Sequence, residues 1–323
     1  MPTRQQVHID QALTNMSVAY MQEAKTFIAD QVFPQVPVQK QSDRYFVYLK
    51  EDWFRDEAVE RVHGAESAGG DYEIDNTPTY FCKLYSYHKD VTEDDRVNSD
   101  SPIVPDNDAT DFVTSKLLLK RELLWSKKYF IAGVWGHELK GGTAVTTTDA
   151  IKWNLAGATP IQDIHEAQTS IQSETGYKPN ILVLGPYVYD ALRDNEVILD
   201  RIKYTQRGVV TTELLAALFE VDKVLIAAAV VNVAQKGATE KTDFIFGNDA
   251  LLCYAAPRPG IKTPSAGYTF AWKGLLGAGA YGNRMIRLPM DWLGLGTERI
   301  EGEMSFDQKV VAKDLGYFFS QIV

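Results

Sequence analysis

Arg44-Tyr45-Phe46-Val47-Tyr48-Leu49 and Tyr80-Phe81-Cys82-Lys83-Leu84-Tyr85-Ser86-Tyr87 face each other across an excursion of about thirty residues. Both runs carry the aromatic and β-branched residues that strands prefer. The residues between them have almost no core-forming content. Gly64, Gly69 and Gly70 mark a flexible tip around Ala65-Glu66-Ser67-Ala68. Charges flank it: Glu51, Asp52, Arg55, Asp56, Glu57, Glu60 and Arg61 on the way up, Asp71, Glu73 and Asp75 on the way down. The pattern predicts one long hairpin over 44–89. An isolated two-stranded ribbon is marginal in water, so it must lie on its own domain or on a partner.

Upstream, residues 1–42 form an arm. Val18, Met21, Ala24, Phe27 and Ile28 recur at helical spacing and predict a short amphipathic helix. Val32-Phe33-Pro34-Gln35-Val36-Pro37-Val38 then excludes helix, because two prolines bias the chain to extended shapes. This segment is either a strap on its own domain or an arm on a neighbouring subunit.

Downstream, Phe112-Val113 through Leu117-Leu118-Leu119 to Leu123-Leu124-Trp125 carries a wide apolar stripe, predicting one helix over 111–132. Asp108 or Thr110 can cap it, and Gly133 follows its end. Residues 159–256 alternate helix and strand. Thr159-Pro160-Ile161-Gln162 has a capping-box pattern, and Ile161, Ile164, Ala167 and Ile171 give a buried face that Gly176 ends. Strands follow at Ile181–Leu184, Val224–Val231, Phe244–Phe246 and Leu251–Tyr254, with a helix over Thr212–Phe219. Pro257-Arg258-Pro259-Gly260 breaks this unit. Strands return at Tyr268–Trp272, Met285–Leu288 and Arg299–Phe306. In the last, Ile300, Gly302, Met304 and Phe306 face one way and Glu301, Glu303, Ser305 and Asp307 the other. The chain ends in a strand or strap at Leu315–Phe319. The class is α+β.

The 323 residues are 45% hydrophobic and 24% charged, as in a folded protein, with net charge −10. That balance argues against coating nucleic acid through overall charge. Cys82 and Cys253, the only cysteines, cannot build a disulfide framework or a cysteine-rich zinc site. No secretory signal or bilayer-length apolar run is present, which predicts a cytosol-like compartment and no membrane.

The search for chemistry returns nothing specific. Gly277-Ala278-Gly279-Ala280-Tyr281-Gly282 matches a dinucleotide glycine string, but a strand-forming run follows where a helix is needed. The five histidines are scattered with no second histidine at metal-binding helical spacing. Asp90, Glu93, Asp94 and Asp95 form an acidic cluster, and Arg201, Lys203 and Arg207 a basic group; solvated faces are the default for both. No enzyme activity, cofactor or metal site is expected.

Arm, extended hairpin, long helix, α/β insertion and returning strands, in that order, resemble the major capsid proteins of tailed bacteriophages, with the Hong Kong ninety-seven-type shell fold. The stretches that carry the resemblance are Gln41–Tyr48, Asp108–Thr114, Leu199–Gly208, Pro257–Gly260, Pro264–Phe270 and Arg299–Glu303. It implies an N-terminal arm (1–42), an extended loop (43–88), and a peripheral domain (89–158) with its spine helix. An axial domain (159–261), peripheral return strands (262–307) and a C-terminal segment joining the axial domain (308–323) complete the chain. It also implies self-assembly into pentamers and hexamers of an icosahedral shell around double-stranded DNA. The loop would lie on the adjacent subunit. Arg44, Trp53, Phe54, Arg55, Glu57, Arg61, Glu66, Asp71, Glu73, Arg201 and Arg207 are the candidate inter-subunit contacts.

The resemblance further implies a portal, a possible decoration protein, weak contact with packaged DNA, synthesis in the host bacterial cytoplasm and residence in the virion. The chain leaves no room for a long scaffolding segment ahead of its arm, so a separate scaffolding protein and no trimming are expected. Residues 55–79 hold no lysine, so no lysine–asparagine cross-link from the loop tip is expected. A tail or other phage structural protein, and an α/β enzyme with an unrecognised site, are the alternative readings.

Overall fold

A computed structural model describes residues 22–48, 50–100, 103–146, 149–203, 210–260, 262–275, 279 and 282–323. Two sheets organise them. A five-stranded sheet is built on Glu298–Val310. That strand pairs antiparallel with Lys83–Val91, with Asn283–Pro289 and, at its far end, with Gly267–Trp272. Gln35–Val38 adds to Gly267–Trp272 in parallel as an edge strand. This places the apolar segment after Pro34 on its own chain, and an edge is where Pro37 costs no ladder bond.

The spine helix lies across this sheet. It runs Pro105–Tyr129 rather than 111–132. Proline fits the first helical turn, where its missing N–H has no partner anyway, so the helix starts at Pro105, ahead of the expected position 111. The expected caps fall inside it, and the Thr110 hydroxyl bonds the Asp106 carbonyl instead. The helix closes at Phe130, ahead of Gly133. Ile300, Met304 and Phe306, which the alternation put on one face, pack under Ala109, Val113 and Leu117. The stripe is only partly covered by its own chain: Phe112 is 40% exposed, and Leu118, Leu119, Leu123 and Leu124 are half-buried.

The second sheet has six strands in the order Lys223–Ile226, Ile181–Leu184, Ala250–Cys253, Gly316–Ser320, His137–Gly142, Asp149–Ile151. Its principal helix, Pro160–Thr175, starts on proline and ends at Gly176 in the left-handed conformation. Thr159 makes no capping bond to the backbone; its hydroxyl donates to Asp163. The four apolar positions named for its inner face are all buried.

Three differences from the sequence reading have physical causes. The run Val224–Val231 splits into Lys223–Ile226 and Val230–Asn232, because the chain turns at the fully buried Ala227 and Ala229. Val230–Asn232 pairs with Thr242–Phe244 instead, so the expected strand at 244–246 begins earlier. Residues 137–151, which the resemblance assigned to the peripheral domain with the spine helix, form strands His137–Gly142 and Asp149–Ile151 and join the six-stranded sheet through parallel pairing with the C-terminal Gly316–Ser320. Gly141 permits this: a β-carbon there would fall 2.0 Å from the Gln321 carbonyl oxygen.

Candidate assembly surface

The extended loop stands on a pinned foot. Tyr80 stacks on Phe270 with ring centroids 4.6 Å apart, and Cys82 is fully buried. Above the foot, Ser42–Arg44 pairs with Thr79–Phe81 and Val47–Tyr48 with Ile74–Asp75. The hairpin is therefore interrupted and shorter than expected. From Lys83 the descending run leaves it and pairs with the long strand Glu298–Val310, because burial of Cys82 turns the chain into the sheet. Tyr48, Trp53 and Tyr72 form a ring cluster with centroids 5.8–6.0 Å apart. Beyond it the loop presents apolar side chains to solvent: Trp53 is 59% exposed, Phe54 62%, Val59 71% and Val62 73%.

The candidate contact residues fall into two groups. Arg44 is exposed on the first loop strand. Arg55 reaches Glu57 at 3.2 Å and Asp52 at 4.0 Å, both in its own loop. Arg61 donates to the Ala65 carbonyl. The Asp71 carboxylate accepts the Tyr72 amide, and the Glu73 amide donates to Asp52. Glu66 is exposed at the tip. These local bonds shape the loop. Arg201 lies elsewhere, on helix Glu196–Ile202, in an open groove with His165 and Glu166. Arg207 lies outside the described residues, as do Val18 and Met21 of the arm and most of the glycine string at 277–282.

Two features escaped the sequence. Lys50, at the root of the loop, reaches Asp314 at 2.5 Å and Glu174 at 3.5 Å, and Lys262 sits over the Tyr48 ring at 5.1 Å. Nothing local signals a partner 264 residues away. Trp292, Leu293 and Leu295 form a second exposed apolar patch, 76%, 53% and 83% exposed. The signal was there, an apolar Trp-Leu-Gly-Leu turn between two strands. Arg96 braces that turn: it donates to the Gly296 carbonyl and pairs with Asp106 and Glu298 at 3.0 and 2.8 Å.

The acidic cluster is occupied by its own chain. Both Asp90 oxygens accept from Arg299, which holds that carboxyl below the usual range, and Asp95 closes a capping box with Thr92. Among the described residues, no three His, Cys, Asp or Glu side chains are grouped to hold a metal ion. Burial pushes both thiols up to about 12, so neither forms a thiolate near neutral pH. No described helix is long and apolar enough to cross a membrane.

Residues 138–266 match the family model described as phage major capsid protein E. The chain is 26% identical over 273 residues to the major capsid protein of Burkholderia phage BcepMu, covering 82% of this chain and 84% of that one. It is 28% identical over 319 residues to the major capsid protein of Pseudomonas phage JBD67, covering 98% and 97%. A phage-related protein from Bordetella bronchiseptica RB50 superimposes with TM-score 0.69 at 19% identity, over 93% and 94% of the two chains. The capsid structure of cyanophage P-SCSP1u gives 0.56 at 12% identity, over 99% and 98%. The fold is that of a capsid shell subunit, mixed α and β as expected. The resemblance to phage major capsid proteins therefore rests on sequence and structure together.

Proposed function

We propose that this chain assembles with copies of itself into pentamers and hexamers, which close an icosahedral head around double-stranded phage DNA. The observation that carries this reading is the loop. Trp53, Phe54, Val59 and Val62 project apolar surface that their own chain leaves uncovered. Burying each such side chain on a neighbour is worth about 1.5–3 kcal/mol. Exposed ion pairs add only about 0–1 kcal/mol each, so the aromatic and aliphatic residues dominate and the charges set register. Arg44, Arg55, Glu57, Arg61, Glu66, Asp71 and Glu73 serve that second role. Arg201 and Arg207 belong to a separate contact on the α/β unit.

In this reading the spine helix and five-stranded sheet form the peripheral domain, and the six-stranded sheet the axial domain. The chain carries no catalytic site. A separate scaffolding protein guides assembly, a portal occupies one vertex, and a decoration protein can bind outside. The subunit is made in the host bacterial cytoplasm and ends in the virion. Its net charge of −10 keeps contact with packaged DNA weak and salt-sensitive. The test is to replace residues 55–79 with a short Gly-Ser linker. The expected product keeps the wild-type circular dichroism and melting transition but forms no shells. Shells of wild-type size from that variant would overturn the assignment.

A further inference from the structure

Where the arm returns onto the spine helix, a buried carboxylate takes the place of a helix cap. Ala29–Val32 form one helical turn, and its N-cap residue, Ile28, offers no side-chain cap. Glu122 of the spine helix, 1% exposed, supplies one. Its two oxygens accept the backbone amides of Ile28 and Ala29, each at 3.0 Å. Asp30, the next residue of the arm, acts on the same carboxylate. Arg121, beside Glu122 on the spine helix, pairs with Asp30. The charged groups meeting at this contact are thus Asp30 from the arm and Arg121 and Glu122 from the helix. Ile28, Ala29, Val32, Phe33 and Trp125, around the buried Glu122, belong to the main apolar core.

Two carboxylates meet one guanidinium, which pairs with Asp30 and leaves Glu122 without an ion-pair partner among the described residues, so the closed contact holds one negative charge in excess. Removing that charge from water is unfavourable, and the two amide bonds offset only part of it. A proton on Glu122 removes the charge. With the arm undocked, Glu122 faces water and ionises freely. The docked state therefore takes up a proton that the undocked state does not, and the sign follows: docking strengthens as pH falls and weakens as it rises. We propose that Glu122 makes docking of arm residues 27–33 on the spine helix proton-linked, closing tighter toward pH 6 and loosening toward pH 8. Burial pushes the Glu122 carboxyl up to about 7, against the opposing pull of the Ile28 and Ala29 amides. Burial raises Asp30 as well, with Arg121 opposing. The inference concerns one chain and does not rest on the shell reading.

Hydrogen–deuterium exchange of the purified full chain tests it, with rates corrected for the intrinsic effect of pH. Peptides spanning 27–33 should gain protection on the order of tenfold between pH 8 and pH 6, while those spanning Ile181–Leu184 stay unchanged. Glu122→Gln should abolish that ratio. Asp30→Asn keeps Glu122 but removes the second carboxylate; it should raise protection at pH 8 and shrink the ratio, and it carries the test if Glu122→Gln does not fold. Equal protection at both pH values, greater protection at pH 8, or a wild-type ratio in either variant would overturn the proposal.

Discussion

Gly302 of the long strand lies directly beneath Val113 of the spine helix. A β-carbon on Gly302 would stand 2.6 Å from Val113 Cγ1 and 2.8 Å from Leu117 Cδ1. The helix rests on bare backbone there, and the hydrogen of glycine sets how closely the two elements approach.

Gly302→Ala should therefore force the helix off the sheet. Overpacking of this kind destabilises by about 1–3 kcal/mol. Urea denaturation should show a lower midpoint with an unchanged slope. A wild-type midpoint would mean that the helix is not seated on this strand.

Trp125 is fully buried and meets Phe33, Phe130 and Phe246 at ring distances of 5.7, 5.9 and 5.8 Å. It joins the arm, the helix end and the six-stranded core. Trp125→Ala should lose about 3–5 kcal/mol, and Trp125→Phe distinctly less. Thermal denaturation of both variants checks the order, and a loss under 1 kcal/mol for alanine would contradict the packing.

The sequence made the framework legible wherever residue type alone decides conformation. Pro160 and Gly176 bound one helix, and alternation put Ile300, Met304 and Phe306 on one face of their strand. Legibility failed where distant parts of the chain decide. The start of the spine helix needed Pro105 to be read as a first-turn residue. The strand His137–Gly142 carries polar residues and two glycines, and only the C-terminal strand beside it makes it a strand. The candidate contacts on the loop were legible as charge and aromatic content, but their bonds within the loop were not. Glu122 looked like one more polar residue on a helix, because burial by the arm leaves no mark in its own neighbourhood.

Asp90 and Arg299 make a two-pronged pair at 2.7 and 2.9 Å on adjacent strands. The Arg299 bond lowers the Asp90 carboxyl, so the pair stabilises above the unfolded aspartate value of about 4 and its contribution fades as pH falls through the lower folded value. Arg299→Ala should lower stability at pH 7, with the gap to wild type closing toward pH 3. Urea midpoints at both pH values test this. A gap that stays constant would show that packing, not charge, is lost.

Lys50 ties the root of the extended loop to Asp314 and Glu174. Lys50→Glu should release the root, seen as faster protease cleavage within 50–75. Because the pair is partly exposed, overall stability should change by no more than about 1 kcal/mol. Adding Asp314→Lys should restore resistance. Equal cleavage in all three proteins would show that the contact does not set the loop.

The central claim is that the exposed apolar surface of this chain is covered by further copies of itself. Electron microscopy of the purified chain, expressed alone and together with candidate phage scaffolding and portal proteins, tests this directly. The account predicts closed icosahedral shells, or rings of five and six subunits that close when those proteins are present. A uniform small oligomer under both conditions would contradict it.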